Sequence, residues 1–140
     1  HILPEDMRNT ITEQLFEESI GITKADFSNE LYMNIDEVKK LVNSGMYVGS
    51  HGSMHYWLDQ ISADQQKQDI VKSLEFLELV GASTKHWVMC YPYGGYNSDT
   101  LSILKKLGAS IGLTVEPRKA NLTKDNPLKL PRLDTNDFPH

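Results

Sequence analysis

The stretch Met46-Tyr-Val-Gly-Ser-His-Gly-Ser-Met-His55 decides how the middle of this chain folds. Its first half, Met46 to Ser50, is a short run typical of a strand. His51 and His55 follow, and in α/β proteins the loops beyond the carboxyl ends of strands usually carry the chemistry. Neutral imidazole is the commonest protein ligand for zinc and similar divalent ions. The stretch therefore predicts a strand followed by a two-histidine metal site.

The same spacing of histidines also has a simpler interpretation. His-x-x-x-His arises by chance, and the two rings could be half-buried with their nitrogens bonded to backbone carbonyls. The surroundings favour the metal site, because Gly49 and Gly52 flank His51 and permit tight turns where a ligand approaches. Residues 56–58, Tyr-Trp-Leu, follow at once and could shield the site from water.

Composition limits the classes of function. With 140 residues the chain is long enough to bury one core, so we expect a single domain over residues 1–140. A net charge of −5 with scattered basic residues argues against nucleic acid as a partner. No apolar run approaches the ~20 residues of a membrane span. The single cysteine, Cys90, excludes an internal disulfide. Oligomeric state and compartment stay open, since a cytoplasmic and an exported protein are both compatible with this composition.

Outside the histidine stretch, helical and strand patterns alternate. The alternation predicts βα units, and hence an α/β fold with mainly parallel strands in a sheet or barrel. The predicted helices cover residues 10–20, 34–45, 62–81 and 97–108. The predicted strands cover 46–50, 87–91, 110–115 and, interrupted by a proline, 128–133. The polar residues 21–30 are predicted to form a loop.

A second loop, Tyr91-Pro-Tyr-Gly-Gly-Tyr96, follows the predicted strand 87–91. In a parallel α/β architecture this loop and the histidine loop would open onto the same face. Taken alone, residues 91–96 are better explained as an ordinary Pro/Gly turn with tyrosines packed at its rim.

Taken in order, the two loops resemble the second and third motifs of the polysaccharide deacetylase family, the carbohydrate esterases with the nodulation-type deacetylase homology domain. In that family a helix and a strand lead into a His-x-x-x-His motif, as residues 34–55 do here. A Pro-Tyr-Gly turn follows a later strand, as Pro92-Tyr93-Gly94 does. The resemblance covers residues 31–137 and implies a partial distorted (β/α) barrel with mainly parallel strands.

The resemblance implies a role for each matching residue. His51 and His55 would bind a divalent ion, with zinc expected, and Tyr93 would offer its backbone N–H to the developing oxyanion. Pro92 and Gly94 would shape that turn beside the substrate. The implied reaction removes acetyl groups from N-acetylated sugars of a polysaccharide or surface-glycan precursor, so the expected partner is a carbohydrate. A divalent ion lowers the pKa of water toward ~7, and an aimed backbone donor adds about 3 kcal/mol of transition-state stabilisation.

The chain also departs from the family pattern. The family's first motif is a strand ending in two aspartates, one the catalytic base and one a metal ligand, and this sequence contains no Asp-Asp pair. Cys90-Tyr91 stands where an arginine often precedes the turn, and no Leu-x-His motif supplies a catalytic acid. The chain starts at His1 without a signal-peptide pattern. We interpret it as an N-terminally truncated deacetylase domain, inactive or very weak alone.

Residues 130–137, Leu-Pro-Arg-Leu-Asp-Thr-Asn-Asp, resemble the final strand of deacetylases that act on exopolysaccharide or surface-sugar precursors. Arg132 could bind a substrate hydroxyl or phosphate, or buttress active-site carboxylates. Asp134 could serve as an acid–base group or as a substitute metal ligand. The alternative for both is a surface ion pair that closes the last strand. Trp57, close behind the histidines, is a further candidate for contact with the sugar.

Three other positions carry weaker expectations. Asp59 could orient a histidine or simply cap a turn. His86 opens a strand at the end opposite the expected active face, so we expect a structural role. His1 and His140 lie at the termini, where side chains are usually mobile.

Two further functions stay open on the sequence alone. A non-catalytic carbohydrate-binding module on the same fold would bind sugar through aromatic side chains, and its binding would survive a chelator. The candidate aromatic residues are Tyr56, Trp57, Tyr93 and Tyr96. A metal-independent structural domain, in which both loops only pack, would bind neither metal nor sugar.

Overall fold

The computed structural model describes residues 3–138, and this part of the chain folds into helices around a short parallel sheet. The helices are α1 (Glu5–Ile20), α2 (Lys24–Leu31), α3 (Ile35–Asn43), α4 (Ala63–Leu79) and α5 (Ser98–Lys106). The strands are β1 (Val88–Cys90) and β2 (Ile111–Leu113). Short 3₁₀ turns lie at Leu58–Gln60, Pro92–Gly94, Pro127–Lys129 and Thr135–Asp137. No helix among residues 3–138 is long and apolar enough to cross a membrane.

The predicted starts of α3, α4 and α5 are confirmed by capping boxes. In each, a side-chain oxygen before the helix accepts a hydrogen bond from the N–H three residues later, and that later side chain bonds back to the cap. The three pairs are Asn34 with Glu37, Ser62 with Gln65, and Asn97 with Thr100. Local hydrogen-bonding chemistry therefore sets where these helices begin.

The prediction of a loop over residues 21–30 is wrong, because this segment contains α2. The helix begins after Thr23, whose side chain accepts a hydrogen bond from the Asp26 N–H at 3.1 Å. Its Phe27 packs edge-on against Phe16 of α1, with ring centroids 5.3 Å apart. The contact between the two phenylalanines lies between helices, so the polar composition of the segment does not reveal it.

The first helix is longer than predicted, since α1 begins at Glu5 rather than near residue 10. Its helical spacing places Ile11, Leu15 and Phe16 on one side, and these side chains differ in burial. Ile11 is 38% exposed and Leu15 is 56% exposed, whereas Phe16 is partly buried by α2.

The sheet is shorter than the sequence predicts. β1 and β2 pair in parallel, with Met89 opposite Gly112. The predicted strand 46–50 contributes one parallel bridge, from Ser50 to Met89, and the predicted strand 128–133 contributes one, from Leu130 to Leu113. Residues 46 and 47 are largely exposed. The proline at 131 has no N–H with which to continue the ladder.

The order across the sheet is Ser50, β1, β2, Leu130, with every neighbour parallel. The carboxyl ends of all four segments therefore meet at one edge. Residues that leave these ends include His51, Pro92 and Arg132. This topology brings the histidine loop and the loop formed by residues 91–96 to the same side of the molecule.

The buried core joins α4, α5 and β1. Its fully buried side chains are Leu58, Ile70, Trp87, Met89, Tyr91 and Leu104. The indole N–H of Trp87 donates to the Leu107 carbonyl at 2.9 Å, so burial leaves its polar atom bonded. A buried hydrogen bond of 2.6 Å from the Thr100 hydroxyl to the Gln66 side chain ties α5 to α4. This core supports the edge of the sheet that carries the loops.

The segment after β2 is fastened by an exposed ion pair. The Arg118 guanidinium makes two parallel hydrogen bonds of 2.9 Å to the Asp125 carboxylate and a third of 2.7 Å to Glu116. The hydrogen bonds from Arg118 and from the Asn121 N–H hold the pKa of Asp125 at about 2, below its usual range. The hydrogen bonds that Arg118 makes to Asp125 and to Glu116 raise its own pKa.

Candidate metal centre

The orientation of His51 is set by the backbone of the neighbouring strand. Ser50 forms the parallel bridge to β1, and its hydroxyl bonds to the buried Ser73 hydroxyl of α4 at 2.7 Å. His51 follows, and its Nδ1 lies 2.7 Å from the carbonyl oxygen of Cys90. Because a carbonyl only accepts, Nδ1 must be the donor, and in the neutral imidazole Nε2 then has the lone pair. This tautomer leaves Nε2 free to ligate an ion, as in many metal-binding histidines.

The histidine loop curls so that the second ring meets the first. His55 has a φ of 57°, in the left-handed region that few non-glycine residues adopt. The ring centroids of His51 and His55 lie 4.8 Å apart with their planes inclined by 64°. Two imidazoles bound to one zinc through bonds of about 2.0–2.1 Å, at a near-tetrahedral angle, have centroids roughly 5 Å apart. The observed ring separation therefore fits a shared divalent ion.

A buried carboxylate under the loop was missed by the sequence analysis. Asp69 of α4 is 3% exposed, and it accepts hydrogen bonds from the backbone N–H of Met54 at 2.7 Å and of Ser53 at 3.2 Å. A signal was available, because Asp69 falls on the buried face of the helix beside Ile70. A charged side chain at a core position is the exception that points to a specific partner.

The Pro92–Gly94 turn contacts the histidine pair. Tyr93 has a φ of 55°, and its ring centroid lies 4.6 Å from that of His55. The N–H groups of Gly94 and Gly95 donate within the turn, to the carbonyls of Tyr91 and Pro92. Within the described part of the chain the Tyr93 N–H has no hydrogen-bond acceptor. The predicted oxyanion donor is therefore available at the turn.

Three of the aromatic residues predicted to contact sugar, Trp57, Tyr93 and Tyr96, pack on other aromatic rings. Trp57 stacks on Tyr93, with centroids 4.6 Å apart and planes 15° from parallel, and Tyr96 lies 4.8 Å from Tyr91. The guanidinium of Arg8, from α1, lies over the Tyr93 ring at 5.5 Å from the centroid. No sequence pattern indicates that contact, since it joins α1 to a turn far along the chain.

Tyr91 anchors the base of the turn. Its hydroxyl donates to the Leu128 carbonyl at 2.5 Å, and its side chain is almost fully buried. Burial raises the pKa of Tyr91 far above its ordinary value, and the neighbouring Tyr96 adds to the shift. Tyr91 therefore stays a neutral hydrogen-bond donor that holds the turn against the segment after β2.

Arg132 and Asp134 have local partners in the structure. Arg132 is exposed, and its Nε donates to the Thr114 carbonyl at 3.2 Å. Asp134 is exposed and caps the last 3₁₀ turn, where it accepts from the Asn136 N–H at 3.0 Å and from the Thr135 hydroxyl at 3.2 Å. These bonds lower the pKa of Asp134, the Asn136 N–H contributing most. Their roles toward substrate or metal stay predictions.

The remaining candidates are Asp59, His86 and the terminal histidines. Asp59 is exposed beside Gly95, in the 3₁₀ turn after Trp57. His86 lies before β1, at the opposite end of that strand from His51, and its Nδ1 is 3.1 Å from the Ser110 hydroxyl. The terminal histidines predicted to be mobile, His1 and His140, fall outside the described range of residues.

No third metal ligand is found among the side chains that the structure describes, those of residues 3–4 and 6–138. Among them, no group of three or more His, Cys, Asp or Glu side chains is placed to hold an ion. Catalytic zinc commonly has three protein ligands and an open position. The predicted pair would supply two of those three ligands.

The conformation of the turn can be tested at Gly94. Its φ is 73°, and a methyl group on its Cα would overlap the side chain of Val115. We expect Gly94→Ala to lower the free energy of unfolding by about 2–5 kcal/mol, from backbone strain plus overpacking. Gly81→Ala is the matched control, because Gly81 has a φ of 79° but open space around it.

For the control we expect a loss of about 1–2 kcal/mol, from backbone strain alone. Urea unfolding followed by circular dichroism measures both variants. Equal losses in the two variants would show that Val115 does not confine the turn.

Comparison with known proteins identifies the class. The chain matches the family model of the polysaccharide deacetylases over residues 5–112, and it belongs to that family. The match begins before residue 31, so α1 and α2 lie within the family region as well.

Individual relatives agree with this class. The chain is 27% identical to the Streptococcus pyogenes deacetylase PplD, solved in complex with acetate, with a TM-score of 0.66 over 72% of this chain and 44% of that one. A family 4 carbohydrate esterase from Streptomyces lividans, also in complex with acetate, gives 25% identity and a TM-score of 0.53 over 59% and 43%. YxkH of Bacillus subtilis (strain 168), assigned by name to the polysaccharide deacetylases, is 26% identical over 90 residues, which are 64% of this chain and 32% of YxkH.

The chain spans less than half the length of each of these three relatives. The predicted α/β class is confirmed, and the chain forms part of the deacetylase barrel.

Proposed function

We propose that this chain carries one side of a metal-dependent site that removes acetyl groups from N-acetylated sugars of a polysaccharide or a surface-glycan precursor. The observation that carries the proposal is the pair of rings of His51 and His55, 4.8 Å apart and next to the Tyr93 turn. Family membership supports hydrolysis of this type, and polysaccharide deacetylases are generally metal-dependent.

Each residue of the site has a defined part in the proposal. His51 and His55 would hold the ion through ring nitrogens, with the Cys90 carbonyl fixing the tautomer of His51. When bound, a divalent ion polarises the acetyl carbonyl and makes water a stronger nucleophile at neutral pH. Tyr93 would direct its N–H toward the oxygen that gains charge, in a turn held by Tyr91. Zinc is the proposed ion because imidazole suits it well.

Deacetylation of a sugar substrate by the chain tests the proposal. We expect the 140-residue chain with zinc to deacetylate N-acetylglucosamine oligomers very slowly, because the histidine pair supplies two ligands and a third is missing from the described residues. Free amine is measured with an amine-reactive fluorophore. His51→Ala should remove whatever activity is present. Activity that the substitution leaves undiminished would refute the assignment.

Binding of the product gives a second measurement on the same chain. Two of the solved relatives were determined in complex with acetate, and we propose that acetate binds here between the ion and the Tyr93 N–H. Acetate added to the zinc-loaded chain should shift the amide resonance of Tyr93 and leave that of Gly81 unchanged. The shift should disappear in His51→Ala. A Tyr93 resonance that ignores acetate would contradict the proposed oxyanion site.

A further inference from the structure

The side chain of Asp69 is connected to the histidine loop and to no described ion pair. Asp69 lies in the middle of α4 and is 3% exposed. One of its carboxylate oxygens accepts from the Met54 N–H at 2.7 Å, and both lie 3.2 Å from the Ser53 nitrogen. Met54 and Ser53 are two of the three residues between the histidines. The carboxylate therefore binds the segment that joins the two rings.

The backbone on either side of these bonds is left-handed. Gly52 has a φ of 76°, and His55 has a φ of 57°. A non-glycine residue in this region costs roughly 1–2 kcal/mol, so the conformation at His55 needs support from its surroundings. Two N–H groups bound to one buried carboxylate give such support, since bonds to a charged acceptor are about twice as strong as neutral ones.

The carboxylate also fits closely against the loop. A Cβ placed on Gly52 would come within 2.6 Å of an Asp69 oxygen. The absence of a side chain at Gly52 thus allows Asp69 to reach the loop amides. The positive φ of Gly52 costs little free energy, because glycine adopts positive φ freely.

We propose that Asp69 is the positioning residue of the histidine pair. Its carboxylate fixes the 53–54 backbone, and this fixed backbone sets the separation and inclination of the two imidazoles. Asp69 acts through the loop and touches neither the ion nor the substrate. The inference rests on the proposed function in one respect, which is that the rings share an ion.

Cobalt and zinc binding by the 140-residue chain tests the role. We expect Asp69→Ala to raise the dissociation constant for either ion by about 10–100-fold, the effect typical of losing a group that orients a ligand. Asp69→Asn should retain part of the affinity, because its amide oxygen can still accept from the Met54 N–H. The visible absorption of bound cobalt should weaken and shift in Asp69→Ala and recover partly in Asp69→Asn.

Gln66→Ala is the matched control. Gln66 lies on the same face of α4, is fully buried, and bonds to the Ile61 carbonyl and the Thr100 hydroxyl instead of the histidine loop. The substitution should destabilise the fold while leaving the dissociation constant and the cobalt spectrum unchanged. Equal metal affinity in the wild type and in Asp69→Ala would overturn the proposal. A loss of metal affinity in Gln66→Ala as large as that in Asp69→Ala would also overturn it.

A measurement without metal separates this inference from the proposed function. In the apo chain, the amides of Ser53 and Met54 should exchange slowly with solvent, and Asp69→Asn should speed exchange and shift the ring resonances of His51 and His55. If the wild type binds no ion but these changes occur, the metal proposal fails and the positioning role stands. If Asp69→Asn leaves the ring resonances of His51 and His55 unchanged, the positioning role is wrong. This test does not require Asp69→Ala to fold.

Discussion

His51→Ala is expected to weaken zinc binding by the chain by more than about 100-fold, because losing a direct ligand should cost more than losing a group that only orients one. In the structure the ring of His51 lies 4.8 Å from that of His55, and its Nδ1 bonds to the Cys90 carbonyl, which leaves Nε2 for the ion. Competition with a chromophoric chelator measures the affinity. His55→Ala should give a similar loss.

His86→Ala is the control for this prediction. His86 is an exposed histidine at the far end of β1, bonded to Ser110, so its removal changes the histidine content without touching the site. The zinc affinity of His86→Ala should equal that of the wild type. If His51→Ala and His86→Ala bind zinc equally well, the pair is not a metal site.

Trp87→Ala should lower the free energy of unfolding by about 3–5 kcal/mol, the range for removing a large aromatic side chain from a core. Trp87 is completely buried, packs in the cluster that joins α4, α5 and β1, and donates its indole N–H to the Leu107 carbonyl. A small domain is stable by only about 5–15 kcal/mol, so much of the stability would be lost. Chemical unfolding followed by circular dichroism measures the change.

Two variants accompany the Trp87 measurement. Leu122→Ala removes an apolar side chain that is 79% exposed, and we expect a change within about 0.5 kcal/mol. Trp87→Phe keeps most of the packing but loses the hydrogen bond to Leu107, so its loss should lie between the other two. A midpoint of Trp87→Ala that matches the midpoint of Leu122→Ala would show that β1 is not anchored through Trp87.

The helices from α3 onward were predictable because their signals are local. Asn34, Ser62 and Asn97 each bond to the backbone three residues away, and such bonds are encoded within one turn. β1 and β2 were found for a similar reason, since short apolar runs between glycines and prolines identify buried parallel strands. The parallel order then required the histidine loop and the Pro92–Gly94 turn to share an edge.

The parts that were missed depend on contacts between distant residues. α2 is polar in sequence and is joined to α1 through Phe16 and Phe27. The outer predicted strands shrink to single bridges at Ser50 and Leu130, because a strand pattern says nothing about whether a neighbour is present to pair with it. Periodicity shows which face of a helix is buried but does not show which partner a buried polar group meets there.

The candidate site likewise contains residues that the sequence indicated and residues that it did not. The two histidines and the turn at Tyr93 were visible as residue types in a spacing, whereas Asp69 was hidden among the core positions of α4. Arg8 could not be placed over Tyr93 without the fold, since the two are far apart in the sequence. Residues predicted to act on a ligand are therefore easier to find in a sequence than those proposed to hold them in place.

The bond from His51 to position 90 has a practical consequence for labelling. His51 is oriented by the main-chain carbonyl of Cys90, so the thiol takes no part in that contact. Cys90 is also the only cysteine of the chain. Cys90→Ser or Cys90→Ala should therefore yield a chain without a thiol in which the imidazole of His51 keeps its orientation. A spectroscopic probe could then be attached at any chosen surface position to follow how the loops respond to an added ligand.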